Sequence, residues 1–330
     1  MKKGRAVEMR VTVHPLCTCN FEGVIVLTLL DMRKNKFEDI QIPIELSTEL
    51  STRLDYDELL QEKQLGEGSF GVVYLGEYRG NKVAIKKIKT IKEFNDNLLD
   101  EFEKEVGMLD KFRNDYIVHF YGAVMIPKKI CMVTEYAPYG SMKDLMNKRK
   151  ENPPPHVIRV KFMLDAAKGI QYLHQHAILH RDIKPDNFLV ISLEENVNVN
   201  VKLTDFGSAR NMNLMMTNMT FTKGIGTPKY MAPEILNKQH YKRAADVYAF
   251  AITMYECFSW SECYPKTLFR FPWQIAEFIM NGKRREKHDK MTDTQYQLIQ
   301  HCWAQDPMDR IKINDVVALL ETEHNRYLHL

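Results

Sequence analysis

Asp182, Lys184 and Asn187 stand close together in the polar stretch His180-Arg181-Asp182-Ile183-Lys184-Pro185-Asp186-Asn187. So many polar groups between two apolar runs are unusual for a purely structural loop. A positioned carboxylate can orient an attacking hydroxyl and take its proton, and a nearby lysine can neutralise a phosphoryl group in flight. An asparagine amide oxygen is a hard ligand suited to Mg²⁺. Asp205, in Asp205-Phe206-Gly207 after the run Val201-Lys202-Leu203-Thr204, offers a second metal carboxylate, and Gly207 permits a mobile backbone. Upstream, Gly66-Glu67-Gly68-Ser69-Phe70-Gly71 carries three glycines at a spacing that lets backbone approach a bulky anion without Cβ clashes. An ordinary Gly-rich hairpin has the same appearance. A dinucleotide site would follow such a run with a helix. Here Val72-Val73-Tyr74-Leu75 reads as a strand, which favours a hairpin lid over phosphates. Lys86 closes the apolar strand Val83-Ala84-Ile85. A lysine there is usually solvated, but one that pairs with phosphate oxygens needs an acid to fix its flexible stem. Glu101, Glu103 and Glu105 are the candidates, and Glu105, beside Val106, Met108 and Leu109, is favoured at the edge of a buried face.

The elements that must position these groups follow from periodicity. From about residue 56 the pattern reads strand, Gly-rich turn, strand, turn, strand. Phe102, Val106 and Leu109 then take helical spacing, and strands are expected near 117–126 and 130–136. Beyond 141 helices dominate. Ile158, Phe162, Ala166, Ile170 and Leu173 share one helix face, and ADVYAFAITMYECFSW is apolar nearly all round, as a helix at the centre of a helical lobe would be. Asn152-Pro153-Pro154-Pro155 reads as a stiff connector between two helices. Residues 1–55 differ. Val7 to Val13, Val24 to Leu30 and Ile40 to Ile44 read as three half-buried strands, which make a poor independent fold. They are expected to be the end of a larger, truncated β-sandwich or a small sheet packed on the main domain.

With 330 residues the chain can bury a large core, and 45% hydrophobic with 27% charged residues excludes a disordered or fibrous class. A net charge of +3 gives no argument for nucleic acid as a partner. Six cysteines are too few for a disulfide framework; Cys17-x-Cys19 with His14 is short of zinc ligands and reads as free thiols. The longest apolar run, Val24 to Leu30, is too short to span a bilayer as a helix. The expected location is cytoplasmic, or the cytosolic portion of a larger protein.

GEGSFGVV, VAIK, HRDIKPDN, DFG and Ala232-Pro233-Glu234 stand in the order and rough spacing of the eukaryotic protein kinase catalytic domain, which about residues 57–325 resemble. The resemblance implies an α+β, two-lobed fold over 56–325, with a small β-rich N-lobe bearing one main helix and a large helical C-lobe. The β-segment 1–55 precedes it. It implies an ATP-dependent enzyme using Mg²⁺, with Mn²⁺ as the alternative ion. Gly66, Glu67, Gly68, Ser69, Phe70 and Gly71 would cover the phosphates, and Lys86, paired with Glu105, would hold them. Asp182 would be the catalytic base, Lys184 would contact the γ-phosphate, and Asn187 and Asp205 would hold metal. Val73 and Ala84 would sandwich adenine. Thr134 falls at the gatekeeper position, where it leaves room behind the adenine, and Glu135 and Ala137 would meet the base through backbone groups. Glu234 should pair with Arg310, and Asp246 should brace the catalytic loop.

Lys184 after Asp182, and Thr227 in Gly226-Thr227-Pro228-Lys229-Tyr230-Met231, resemble Ser/Thr kinases. EVGML, YIVHFYGA and DVYAF resemble tyrosine kinases. That mixture is typical of the tyrosine-kinase-like group. Protein substrates with Ser or Thr acceptors are the expected partners, and tyrosine or dual specificity is the alternative. Intact Lys86, Asp182, Asn187 and Asp205 disfavour a pseudokinase scaffold. Thr217, Thr220 and Thr222 are candidate phosphorylation sites, Thr220 and Thr222 favoured by their place ahead of Gly224-Ile225-Gly226, and Arg181 is a cation that could bind the phosphate. An upstream partner or N-terminal extension is the expected complement of residues 1–55.

Overall fold

Val83 and Ile85 alternate with Ala84 and Lys86, and a period of two gives a strand one buried and one accessible face. The computed structural model describes residues 11, 13, 18, 20–31, 34–48, 51–67, 71–88, 96–211 and 228–328, the side chains of 20, 31, 96–101, 210, 211 and 328 excepted. They fall into two compact units, Met1–Phe94 with Phe120–Thr134, and Asn95–His119 with Glu135–Leu330.

In the first unit, β1 (Asn20–Asp31) and β2 (Lys36–Ser47) pair antiparallel, Asn20 opposite Ser47 and Asp31 opposite Lys36. The turn contains Asn35 at φ 48°, a conformation asparagine tolerates. Five further strands, β3 (Leu59–Glu67), β4 (Gly71–Tyr78), β5 (Asn81–Ile88), β6 (Phe120–Val124) and β7 (Cys131–Glu135), form one sheet in the order β3-β4-β5-β7-β6. Val83, Ile85, Val124, Cys131 and Val133 close a core with Leu54 and Tyr78. Complete burial of each aliphatic side chain there contributes about 1.5–3 kcal/mol. Alternation turns Ala84 and Lys86 to the other face, opposite Leu75 and Val73 of β4. The chain before β3 joins the far edge of this sheet. Leu54 N–H donates to the Ala123 carbonyl at 2.9 Å, and Ala123 N–H donates to the Thr52 carbonyl at 2.7 Å. Gly122 at φ 152° allows this approach, because a Cβ there would strike the Thr52 carbonyl and the Leu54 side chain.

Three strands are expected in residues 1–55, and two are found among the described residues. Of the first, residues 7–10 and 12 lie outside the described residues, and Val11 and Val13 belong to no strand. Half-burial is also expected, and it holds for Ile25, Leu27 and Ile44, whereas Val24, Val26, Phe37, Ile40 and Ile42 are more than 40% exposed, because among the described residues no second layer covers the two strands.

The second unit is helical: α1 (Asp96–Leu109), α2 (Met142–Lys148), α3 (His156–Gln175), α4 (Pro233–Leu236), α5 (Arg243–Ser259), α6 (Pro272–Met280), α7 (Asp293–Cys302) and α8 (Ile313–Leu328). Short strands β8 (Ile178–Leu179) and β11 (Arg210–Asn211) pair, as do β9 (Phe188–Val190) and β10 (Val201–Leu203). Every residue of α5 from Ala245 to Ser259 is buried, as its all-round apolar sequence requires. Ser141 and Asp144 form a capping box on α2. The helix expected in the β-rich lobe, α1, groups with this unit, whose residues 116–118 bond to Leu203 of β10. None of the described helices is long and apolar enough to cross a membrane.

Candidate active site

β9 and β10 bring the two polar motifs together. Phe188 pairs with Leu203, and Thr204 N–H donates to the Asn187 carbonyl at 2.9 Å. Asp205 therefore follows directly beside Asn187. Within the loop, Lys184 Nζ lies 2.6 Å from Asp182 Oδ2, and Asn187 Nδ2 donates to the Asp182 carbonyl at 2.7 Å and to its Oδ2 at 3.2 Å. His180 is fully buried and ties both motifs together: its Nδ1 accepts from Asp182 N–H at 3.3 Å, and its Nε2 lies 3.0 Å from the Thr204 carbonyl. This pattern fits the tautomer protonated on Nε2.

Asp246, at the start of α5, holds the loop from beneath. Its carboxylate accepts from His180 N–H at 3.1 Å, Arg181 N–H at 3.0 Å and Tyr241 Oη–H at 2.9 Å, with His174 Nε2 at 2.9 Å. Burial opposes its charge, but the His174 hydrogen bond and its neighbouring donors outweigh that and keep its pKa below the ordinary carboxylate value. Burial and the Asp246 charge push the Tyr241 hydroxyl well up. Arg181 and Asp205 both have positive φ, 71° and 62°. Such backbone costs about 1–3 kcal/mol per residue and persists only where neighbours enforce it, as the Asp246 bond to Arg181 does.

Phe206 is buried against Phe112, ring centroids 4.8 Å apart, and against His180 at 5.3 Å. A Cβ placed on Gly207 would lie 3.5 Å from Asp205 Oδ1 and 3.8 Å from Glu105 Oε2, so the two carboxylates gather around this glycine. Glu105 is half-buried on α1 whereas Glu103 is exposed; the Glu101 side chain lies outside the described residues. Glu135 N–H donates to the His119 carbonyl at 2.9 Å, and its carboxylate receives Lys202 Nζ at 2.8 and 2.9 Å. The Ala137 carbonyl accepts Gly140 N–H at 3.2 Å. Glu234 and Arg310 form a buried bidentate pair at 2.6 and 2.7 Å.

In the first unit, Lys86 is half-buried on β5, directly opposite Val73 of β4 and on the same face as Ala84. Thr134 pairs with Phe120. Gly66 and Glu67 end β3, exposed, and Gly71 begins β4. Gly68, Ser69, Phe70, Thr217, Thr220, Thr222 and Thr227 lie outside the described residues, as do His14, Cys17 and Cys19. Sequence reasoning missed His174, Tyr241 and Lys202. His174 and Lys202 act on partners about 70 residues away, Tyr241 acts on Asp246 five residues on, and only the clustering of His174 with His176 and His180 hinted at any of them.

Comparison with known proteins gives a consistent result. A family description, protein tyrosine and serine/threonine kinase, matches residues 59–320. The chain is similar to the probable serine/threonine-protein kinase gdt9 of Dictyostelium discoideum, 32% identical over 329 residues, covering 91% of this chain and 20% of that protein. It is also similar to the probable serine/threonine-protein kinase drkB of the same organism, 34% identical, with 78% and 36% covered. The serine/threonine-protein kinase STY17 of Arabidopsis thaliana is 32% identical, with 89% and 50% covered. The chain thus spans between a fifth and a half of these relatives' lengths.

Proposed function

This chain belongs to the protein tyrosine and serine/threonine kinase family, and from that premise we propose that it transfers the γ-phosphate of ATP to serine and threonine hydroxyls of protein substrates. The observation that carries the reading is the Asp182 carboxylate held by Lys184 at 2.6 Å and Asn187 at 3.2 Å. Asp182 orients the acceptor hydroxyl and takes its proton; Lys184 steadies that carboxylate and offers its charge to the phosphoryl oxygens. The donor set also suits a hard cation. With the Asn187 amide nitrogen committed to Asp182, its oxygen is left to act as a ligand beside the Asp205 carboxylate. Mg²⁺ bound there would neutralise phosphate charge. In this reading Lys86 would hold the α- and β-phosphates under the Gly66–Gly71 loop, and Val73 and Ala84 would flank the adenine. The Glu135 carbonyl and the Ala137 N–H meet the base, since the Glu135 N–H and the Ala137 carbonyl are bonded elsewhere.

Serine and threonine specificity is supported by Lys184 two residues after Asp182 and by the names of the relatives. A cytosolic setting and activation-segment phosphorylation belong to the same reading. The test is a peptide-library phosphorylation assay with ATP and Mg²⁺, followed by phosphoamino-acid analysis. Phosphoserine and phosphothreonine should dominate, and Asp182→Asn should lower turnover by about 10²–10⁴, the usual cost of losing a positioned base. Turnover within twofold of wild type, or mainly phosphotyrosine, would refute the corresponding half of the proposal.

A further inference from the structure

We propose that the exposed rim Leu268–Trp273, leading into α6, is a docking surface for an acidic, apolar segment of the protein substrate lying outside the acceptor site; this rests on the protein-kinase reading above. Three large apolar side chains crowd into six residues there: Leu268 is 57% exposed, Phe271 47% and Trp273 61%. Folding accounts for their neighbours but not for them. Phe269 turns inward against Tyr264 and Phe278, at 5.3 and 5.2 Å between centroids, and Ile275 and Ile279 bury the inner face of α6. Concentrated exposed apolar surface of this kind marks an interaction site more often than a packing requirement.

The rim is also rigid. Phe271 and Trp273 stack with their planes 9° apart and centroids at 6.1 Å. Pro272 opens α6, Gln274 Oε1 accepts Phe271 N–H at 3.0 Å, and the Arg270 guanidinium lies 5.6 Å over the Phe271 ring. A pre-ordered aromatic platform loses little conformational entropy when it binds.

Charge complementarity selects the occupant. From Cys263 to Ala276 the only charged residues are Lys266 and Arg270, both exposed cations, and the acid just before them, Glu262, is paired with Lys143 at 3.0 Å. The nearest acid on the outer face of α6, Glu277, lies one turn beyond Trp273. The rim therefore offers two cations at its Leu268 end and aromatic anchors between, which fits acidic residues followed by phenylalanine or leucine. Its place favours a substrate over another partner: α6 packs against α4 and against the Pro228–Tyr230 turn, that turn packs against α5, and α5 and α2 pack against the Pro185–Asn187 end of the catalytic loop. A substrate engaged at the loop would pass near this rim.

The experiment uses the whole chain and a serine peptide found in the library screen, alone or joined by glycine-serine linkers of graded length to an acidic tail bearing phenylalanine and leucine, or to a lysine-containing tail of the same apolar content. The acidic tail should lower KM about fivefold or more, as tethering a second contact does, with kcat unchanged. Phe271→Ala and Trp273→Ala should abolish that gain while leaving the untailed peptide's kinetics intact. Lys266→Glu with Arg270→Glu should transfer the preference to the lysine tail. Trp260 and Trp303 are buried, at 5% and 2%, so Trp273 emission reports binding of the acidic tail alone, without catalysis. If no peptide is phosphorylated the kinase reading fails, and this fluorescence arm still decides the surface. Equal effects of both tails, a gain that survives Trp273→Ala, or self-association of the chain lost on Trp273→Ala would each overturn the proposal.

Discussion

Asp246 gathers four donors, from His174, His180, Arg181 and Tyr241, onto one fully buried carboxylate. An amide cannot accept from all four. Asp246→Asn should therefore cost about 3–5 kcal/mol, the usual penalty for breaking a buried charged pair, and should lower turnover by loosening the loop. The pH dependence has a definite sign. The folded-state pKa of Asp246 lies below the ordinary carboxylate value, so its stabilisation is present above about pH 3.9 and is lost as the pH falls through the folded pKa. Denaturant unfolding at neutral and acid pH should show the gap between wild type and Asp246→Asn narrowing on acidification; a constant gap would deny the carboxylate this role. Gly66 and Gly71 divide in the same way. A Cβ on Gly71 would strike the Lys87 carbonyl, whereas one on Gly66 meets nothing within 4 Å. Gly71→Ala should destabilise by about 1–3 kcal/mol and Gly66→Ala by less than about 0.5 kcal/mol in thermal unfolding, so any loss of activity in Gly66→Ala would be functional rather than structural.

Elements with a strict period were legible in the sequence. β4, β5, α3 and α5 follow from alternation or from helical spacing of their apolar residues, because the backbone fixes where each side chain points. The His180–Asn187 cluster was legible because its groups are contiguous. Residues 51–54 were not, since no pattern in Ser51-Thr52-Arg53-Leu54 announces that they pair with β6; the pairing depends on Gly122, far along the chain. Glu58 and Arg79 add a bidentate surface pair at 2.8 and 3.0 Å, and Lys87 donates to Tyr56 Oη at 2.7 Å, so the whole 51–58 segment is fastened to the sheet. Leu54 is 3% exposed although it precedes the matched family region. We propose that the folded domain begins here. Leu54→Ala should cost about 2–5 kcal/mol in denaturant unfolding, as deletions of buried leucine do. A change below about 0.5 kcal/mol, the level of a surface substitution, would place the segment outside the domain.

The two units carry separate cores of unequal size, and their thiols can report on each core by itself. Cys131 lies in the sheet core of the first unit, while Cys257, Cys263 and Cys302 are fully buried in the second. Burial pushes the Cys131 thiol up to about 11 and the Cys257 thiol up to about 12, and it moves Cys263 and Cys302 in the same direction. Only thiolates react with alkylating reagents, and a free cysteine has a pKa of about 8.5. At pH 8 the folded chain should therefore leave all four unlabelled, and each should gain reactivity only when its own core opens. The sheet core closes over Leu54, Tyr78, Val83, Ile85, Val124, Cys131 and Val133. The helical core surrounds a helix buried along nearly its whole length. A smaller core buries a smaller fraction of its surface and is held less firmly. In iodoacetamide labelling across a urea series, read by peptide mass, Cys131 should become reactive at lower urea than the other three, which should open together. One shared midpoint for all four would instead mean that the chain unfolds as a single cooperative body, and the inequality of the two cores would have no energetic consequence.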